Sequence, residues 1–235
     1  MQYQNIRKAV FLNRPNRFIA EIEIDGNMKI CHVKNTGRCR ELLLPGTTVY
    51  VQDFGEERTR KTRYDLICVE KENRLINMDS QIPNKVFQEW LLKNKPISFL
   101  KPECTFGDSR FDFYFETGEK RCFAEVKGVT LEQDGVVSFP DAPTERGIKH
   151  LQGLMRAVQE GYESYVVFII QMKDVLYFTP NTVTHPAFAE ALQAAHSAGV
   201  HILALDCFVT PDRIEAAQKV PIRLTHFTSF PADLS

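Results

Sequence analysis

The sequence predicts an all-β N-terminal domain joined to an α/β domain built on a mixed sheet. Up to residue 80, short runs of alternating apolar and polar residues recur between turn residues, the pattern of half-buried strands. Past Pro83, Val86, Phe87, Trp90 and Leu91 fall on one helical stripe. Further on, Tyr165-Val166-Val167-Phe168-Ile169-Ile170 is apolar without alternation, as a central strand covered on both faces would be.

In the first part, Phe18-Ile19-Ala20-Glu21-Ile22-Glu23-Ile24 alternates, reaches Asp25-Gly26 and continues as Met28-Lys29-Ile30-Cys31-His32-Val33. Asp-Gly between two such runs predicts a hairpin, because both turn positions need positive φ. Pro45-Gly46 introduces a strand at Thr47-Thr48-Val49-Tyr50-Val51, and Tyr64-Asp65-Leu66-Ile67-Cys68-Val69 supplies another. Four or five short strands within residues 1–80 predict an oligonucleotide/oligosaccharide-binding (OB-like) barrel. Residues 81–235 form the second domain. Its first helix is bracketed by Pro83 and Pro96, and strands are predicted at about 101–106, 109–115 and 121–127. A helix over about 143–160 ends at Gly161. After the apolar strand come a hairpin strand near 175–178, a helix at 186–197 ending at Gly199, and a strand at 200–206. The order is αβββαβ, followed by β, α and β.

The composition is that of an ordinary globular protein, with 43% hydrophobic and 25% charged residues among 235. A net charge of −1 does not by itself demand nucleic acid, although residues 1–80 carry +3 and the remainder −4. Six cysteines without a C-x-x-C pair, several in apolar strands, predict free buried thiols in a reducing cytosol rather than a zinc site. The N-terminus lacks an apolar signal core, and no run approaches the roughly 20 apolar residues of a membrane span. The expectation is a cytoplasmic protein with no membrane partner.

The chemistry concentrates in two strand-like runs, Ser109–Phe115 and Cys122–Lys127. Alternation places Phe111, Phe113 and Phe115 on one face and Asp112 on the other, while Glu125 and Lys127 share a face opposite Ala124 and Val126. Pairing through Thr117-Gly118-Glu119-Lys120 then collects two carboxylates and an amine on one side. Such carboxylates repel unless a cation or a shared proton intervenes. An acid, a gap of about a dozen residues and Glu-x-Lys on the next strand is the signature of PD-(D/E)xK nucleases, and the αβββαβ order matches the core of that fold. Asp112 and Glu125 are hard ligands for Mg²⁺ or Mn²⁺, with Val126 offering a carbonyl. The metal would acidify a water and offset phosphate charge, and Lys127 would orient the water. Glu103 would add a third carboxylate or a supporting hydrogen bond. The alternative is a solvated hairpin face with weak salt bridges.

Asp141 is placed to cap the helix that follows, where Arg146, Lys149 and His150 lie within about one turn and could face the carboxylates or a phosphate. Gly147 inside that helix costs about 1 kcal/mol relative to Ala, which implies close packing there. Two basic loops, residues 34–40 and 58–63, offer Arg38, Arg40, Arg60, Lys61 and Arg63 to a phosphate backbone, unless they are merely hydrated. His185, His196, His201 and His226 read as surface residues. No nucleophile elbow or phosphate-cradling Gly-rich loop is present.

Together these segments resemble the sugar fermentation stimulation protein A family across most of the chain. The resemblance is carried by Arg17-Phe18, Asn35-Thr36-Gly37, Leu42 with Pro45-Gly46, Ser109-Arg110-Phe111-Asp112-Phe113, and Glu125-Val126-Lys127 with Val129-Thr130. Most specific is Phe139-Pro140-Asp141-Ala142, followed by Thr144, Arg146-Gly147 and Lys149-His150-Leu151. It implies an OB-like domain before a PD-(D/E)xK-type domain, non-specific DNA binding, and a part in regulating sugar (maltose) metabolism. Asp112, Glu125 and Lys127 fall on the nuclease-like positions. Arg38 and Cys39 stand where the family commonly has Ser-Met, which adds charge to a binding loop, and Gly128 stands where Asn is usual. Three functions follow as expectations: a divalent-metal-dependent nuclease, a DNA-binding regulator that keeps the fold without the reaction, and a barrel that binds a sugar.

Overall fold

The computed structural model describes residues 1–35, 37–55 and 60–224. Its first six strands are β1 (Ile6–Asn16), β2 (Ile19–Ile24), β3 (Asn27–His32), β4 (Thr48–Asp53), β5 (Tyr64–Lys71) and β6 (Arg74–Asn77). They form one sheet in the order β3-β2-β1-β4-β5-β6. Cys31 and His32 of β3 pair with Tyr64 and Asp65 of β5, so five strands close into an OB-like barrel. The predicted Asp25-Gly26 turn is present, with φ of 52° and 73° and with Ile24 paired to Asn27. β1 was not anticipated: Arg7-Lys8 and Asn13-Arg14-Pro15-Asn16 obscure its alternation. It pairs with both β2 and β4, and register shifts around Asn13 let it bend between them.

The second domain contains α1 (Pro83–Asn94), β7 (Ile97–Phe106), β8 (Ser109–Thr117), β9 (Lys120–Val129), β10 (Glu132–Gln133), β11 (Val136–Phe139) and α2 (Glu145–Gln159). It continues with β12 (Glu163–Ile170), β13 (Tyr177–Pro180), α3 (Pro186–Ser197), β14 (His201–Thr210) and β15 (Arg213–Lys219). Its main sheet has the order β15-β14-β12-β9-β8-β7 and is mixed: β12 runs parallel to β9 and β14, whereas the outer pairs are antiparallel. Leu151 and Leu154 of α2 and Leu192 of α3 pack in one apolar cluster, and Val86, Phe87 and Leu91 of α1 in a second. β12 lies between β9 and β14, with Val166 and Phe168 in the first cluster and Val167 and Ile169 in the second, which explains its unbroken apolar run.

Several local expectations are corrected. The strand predicted near 175–178 is not half of a hairpin. It is β13, which pairs in parallel with β11 in a separate three-stranded sheet. Thr144, not Asp141, caps α2: its Oγ1 accepts the Gly147 N–H at 3.1 Å. Asp141 instead accepts the Arg38 N–H at 3.2 Å, tying the barrel to the approach of α2. His185 is buried rather than superficial, and its Nδ1 accepts the Thr144 N–H at 3.2 Å. Gly147 does pack closely, since a Cβ there would lie 3.1 Å from the Phe188 ring.

The two domains are joined by apolar packing and by buried charge. Phe11 of β1 and Phe168 of β12 belong to one cluster, Ile67 of β5 and Phe113 of β8 to the other. Glu132 of β10 is buried and takes Lys71 Nζ at 2.6 Å and Arg74 Nη1 at 2.7 Å from the barrel hairpin. The first residues cross the boundary expected at residue 80: the Met1 amine donates to the Ile214 carbonyl at 2.9 Å, and Gln2 bridges to Arg213. Thr36, Arg58, Thr59, His226 and the end of the 81–235 domain lie outside the described residues.

Candidate metal centre and nucleic-acid interface

The candidate site forms where β8 and β9 part. Their ladder runs from Thr117↔Lys120 to Phe113↔Ala124 and stops there. At the next position the Asp112 carboxylate takes the Val126 N–H, with Oδ2 at 2.7 Å. Its Oδ1 accepts Asn84 Nδ2 at 2.8 Å from the first turn of α1. This break overturns the expectation that Phe111, Phe113 and Phe115 share a face. Phe113 and Phe115 pack in the α1-side cluster, with Phe113 5.6 Å from the Phe87 ring, whereas Phe111 packs in the α2-side cluster against Phe123 at 5.2 Å. Both sides of the hairpin are therefore apolar, and the carboxylates occupy the gap between the parting strands.

Glu125 projects toward α2 and is only 3% exposed. Its Oε1 accepts Lys127 Nζ at 2.5 Å and a very short hydrogen bond from His150 Nδ1, while Oε2 is buried with no hydrogen-bond partner. Arg146 Nε lies 3.4 Å from His150 Nε2, so that ring nitrogen acts as acceptor and the Nδ1 proton points at Glu125. The two carboxyls respond oppositely. Burial, and then the charge of Glu125, pushes Asp112 above the ordinary carboxylate range against the Val126 and Asn84 hydrogen bonds. Burial also pushes Glu125 upward, but the His150 hydrogen bond and the Lys127 ammonium outweigh it and hold the group below its usual value.

Asp112, Glu125 and Lys127 are thus brought together as the sequence predicts, but Glu103 is not. A left-handed backbone (φ 54°) interrupts the strand alternation at Glu103, and its exposed carboxylate pairs with Arg110 at 2.8 Å. Among the described residues, no three His, Cys, Asp or Glu side chains group closely enough to hold a metal ion. A two-carboxylate donor set does fit a hard divalent cation. The partnerless Glu125 Oε2 and the neighbouring Asp112 carboxyl supply oxygen donors, and waters or a carbonyl commonly complete such a shell.

The chain matches two family models in tandem: "SfsA N-terminal OB domain" over residues 12–78 and "Sugar fermentation stimulation protein RE domain" over residues 81–213. It belongs to the sugar fermentation stimulation protein (SfsA) family. A homolog from Desulfitobacterium hafniense (strain DSM 10664 / DCB-2) is 63% identical over 226 residues, covering 95% of this chain and 99% of that protein. One from Clostridium beijerinckii is 54% identical over 227 residues, covering 95% and 100%. A solved structure of Pyrococcus furiosus SfsA in complex with Ca²⁺ superposes with a TM-score of 0.83 at 27% identity, covering 95% of this chain and 98% of that one.

On this SfsA framework the predicted phosphate contacts fall into different settings. Arg38 and Arg40 are exposed and, with Arg14 and Arg17, line a cavity of about 480 Å³ on the barrel. Arg14, which the sequence reading missed, pins this loop by donating to the carbonyls of Arg17, Asn35, Gly37 and Arg38 at 2.8–3.1 Å. Lys61 is exposed, but Arg60 pairs with Asp65 and lies 3.7 Å over the Phe54 ring, and Arg63 makes two bonds to Asp53 at 2.6 and 2.8 Å. Barrel acids thus already engage Arg60 and Arg63. Arg146 stays exposed at the start of α2, while Lys149 pairs with Asp108 at 3.3 Å. His150 departs furthest from expectation: it is buried and orients Glu125 rather than meeting a phosphate at the surface. Asn84 was also missed, because its contact with Asp112 exists only once α1 docks on the sheet.

Proposed function

We propose that this protein binds DNA, without sequence preference, along the arginine-lined barrel cavity and the exposed start of α2, and hydrolyses phosphodiesters at a divalent-cation site formed by Asp112 and Glu125. The observation that carries this reading is the buried, partnerless Glu125 Oε2, near a second carboxyl, Asp112, raised by burial and then by the charge of Glu125. An acidic pair with an unfilled acceptor favours a cation, Mg²⁺ or Mn²⁺ by its oxygen donors. The Ca²⁺ complex of the Pyrococcus furiosus relative supports a cation in this family. When bound, such an ion offsets charge on a scissile phosphate and acidifies water. The chain's residues do the positioning: Asn84 and the Val126 N–H hold Asp112, and His150 and Lys127 hold Glu125. Lys127 keeps an ammonium next to the site where anionic charge develops. Arg38, Arg40 and Arg146 steady the phosphate backbone by charge. The free cysteines suit a reducing compartment, and we assign the protein to the cytoplasm.

Isothermal calorimetry with Mg²⁺ and Mn²⁺ tests the site. The wild type should bind, and the double variant Asp112→Ala, Glu125→Ala should not; equal heats for the two would end the proposal. A specific observation favours a second reading, that of a DNA-binding regulator of sugar metabolism without cleavage: Lys127 Nζ lies 2.5 Å from Glu125 Oε1, so the amine is already engaged. Cleavage assays on single-stranded, duplex and branched DNA, with Lys127→Ala as the control for contaminating nuclease, separate the two. Both readings predict DNA affinity that falls steeply with salt.

A further inference from the structure

A cavity of about 560 Å³ opens on the α1 side of the main sheet, where β9, β12 and β14 begin. Its volume lies within the range of small-molecule sites. The aromatic wall comes from separate elements: Trp90 of α1, Phe115 of β8 and Tyr165 of β12. The rings are fixed by their neighbours. Trp90 stacks on Phe87 with centroids 6.1 Å apart, Tyr165 lies 5.9 Å from Phe115, and His201 stacks on Tyr165 at 4.8 Å.

The charge around this wall is one-sided. Lys95, Lys120 and Lys219 line it against a single acid, Glu163. Glu163 is satisfied internally, with one oxygen taking Lys120 Nζ at 2.5 Å and the other the Tyr165 hydroxyl at 2.7 Å. Lys95 and Lys219 have no ion pair among the described residues and are exposed. A partly apolar cavity with rigid aromatic walls and two unmatched ammonium groups suits a planar ring carrying an anionic group. The cavity is separate from the carboxylate pair. Lys120 precedes Glu125 by five residues on β9, about 17 Å of strand, and Glu125 faces α2 whereas the cavity faces α1.

We propose that this cavity is a second binding site, for a small aromatic anion: a ring between Trp90, Phe115 and Tyr165, with its carboxylate or phosphate toward Lys95 and Lys219. Trp90 is the only tryptophan in the chain, so its emission reports the cavity directly. The full-length protein is titrated with phenyl phosphate and with phenylacetate, with benzyl alcohol as the uncharged ring and inorganic phosphate as the ringless anion. Saturable quenching or shift of Trp90 emission is expected with both aromatic anions at millimolar concentration and with neither control. The surface double variant Lys95→Glu, Lys219→Glu should weaken the response about tenfold or more. Tyr165→Ala should do the same, and Asp112→Ala should respond like the wild type. The proposal falls if neither aromatic anion saturates, if either control matches them, or if the charge reversal changes nothing. It falls also if only a single-stranded oligonucleotide displaces the probe, because the cavity would then be a base-stacking extension of the DNA path.

Discussion

Replacing Lys127 by Met tests whether the ammonium stabilises Glu125 or merely covers it. The Lys127 side chain is 17% exposed and that of Glu125 4%, and the pair meets at 2.5 Å. Removing one partner of a buried ion pair costs about 3–5 kcal/mol, because the other charge is left without compensation. His150 still donates to Glu125 in the variant, and the lysine head reaches water in the wild type, so the loss belongs at the lower end, about 3 kcal/mol. Unfolding followed by circular dichroism in urea reads it. With a slope of about 2–3 kcal/mol per molar, the midpoint should drop by about 1 M. The sign with pH is fixed by Glu125, whose folded pKa lies below its ordinary value of 4.5: burial opposes ionisation, but His150 and Lys127 prevail. A depressed folded pKa contributes stability above that ordinary value, and the contribution is lost as pH falls through the folded one. The gap between wild type and variant should therefore be full at neutral pH and shrink in acid below about pH 4.5. Methionine keeps an apolar stem of similar reach. A loss under about 1 kcal/mol, the scale of surface pairs, would refute the reasoning. So would a loss that persists undiminished in acid, since stem packing does not titrate.

Glu132→Gln should lower stability by about 2–3 kcal/mol in the same urea assay, since the buried carboxylate accepts from Lys71, Arg74 and the Gly135 N–H at 2.6–2.7 Å and joins barrel to sheet. That carboxyl is also held low, against burial, by the Lys71 hydrogen bond, so this gap too should narrow below about pH 4.5. Gly128→Ala should cost about 1–3 kcal/mol in thermal melts, because the new Cβ would stand 2.6 Å from Gln171 Oε1 and 2.8 Å from Pro83 Cγ. A wild-type melt would show that Gln171 swings aside despite its bonds to Asn77 and Asp79 at 3.0–3.1 Å.

Features set by neighbouring residues were legible in the sequence. Asp25-Gly26 announces its hairpin because the turn needs two left-handed residues in succession, and β12 announces its central place because Val166 through Ile170, which alternate between its two faces, are all apolar and buried. Glu125 and Lys127 share a face because the strand period is two. What escaped depends on contacts distant in sequence. The switch of Phe111 to the α2 side follows from Asp112 taking the Val126 N–H, 14 residues away. His150 resembles a surface cation on a helical wheel, and it is the docking of α2 over β9 that buries it against Glu125. Arg60 and Arg63 look available to phosphate until barrel closure brings up Asp65 and Asp53.

A self-balanced salt-bridge cluster would give each acid its own cation, and this one does not. Glu125 has Lys127 and a neighbouring imidazole; Asp112 has only neutral donors, a backbone N–H and the Asn84 amide. Neutral hydrogen bonds orient a carboxylate but offset its charge poorly in a half-buried setting, which is why Asp112 is pushed toward its protonated form while Glu125 is kept ionised. The imbalance also has a location: within this cluster the buried oxygen without a hydrogen-bond partner is Glu125 Oε2, while Oε1 takes Lys127. Closing the strands over Asp112 would restore a ladder hydrogen bond and bring Phe111 into line with Phe113. The fold instead holds two acids at a break in its sheet with one ammonium, which is bonded to Glu125. A further positive charge at this break would offset the uncompensated acid, which is the charge that the proposed cation would supply.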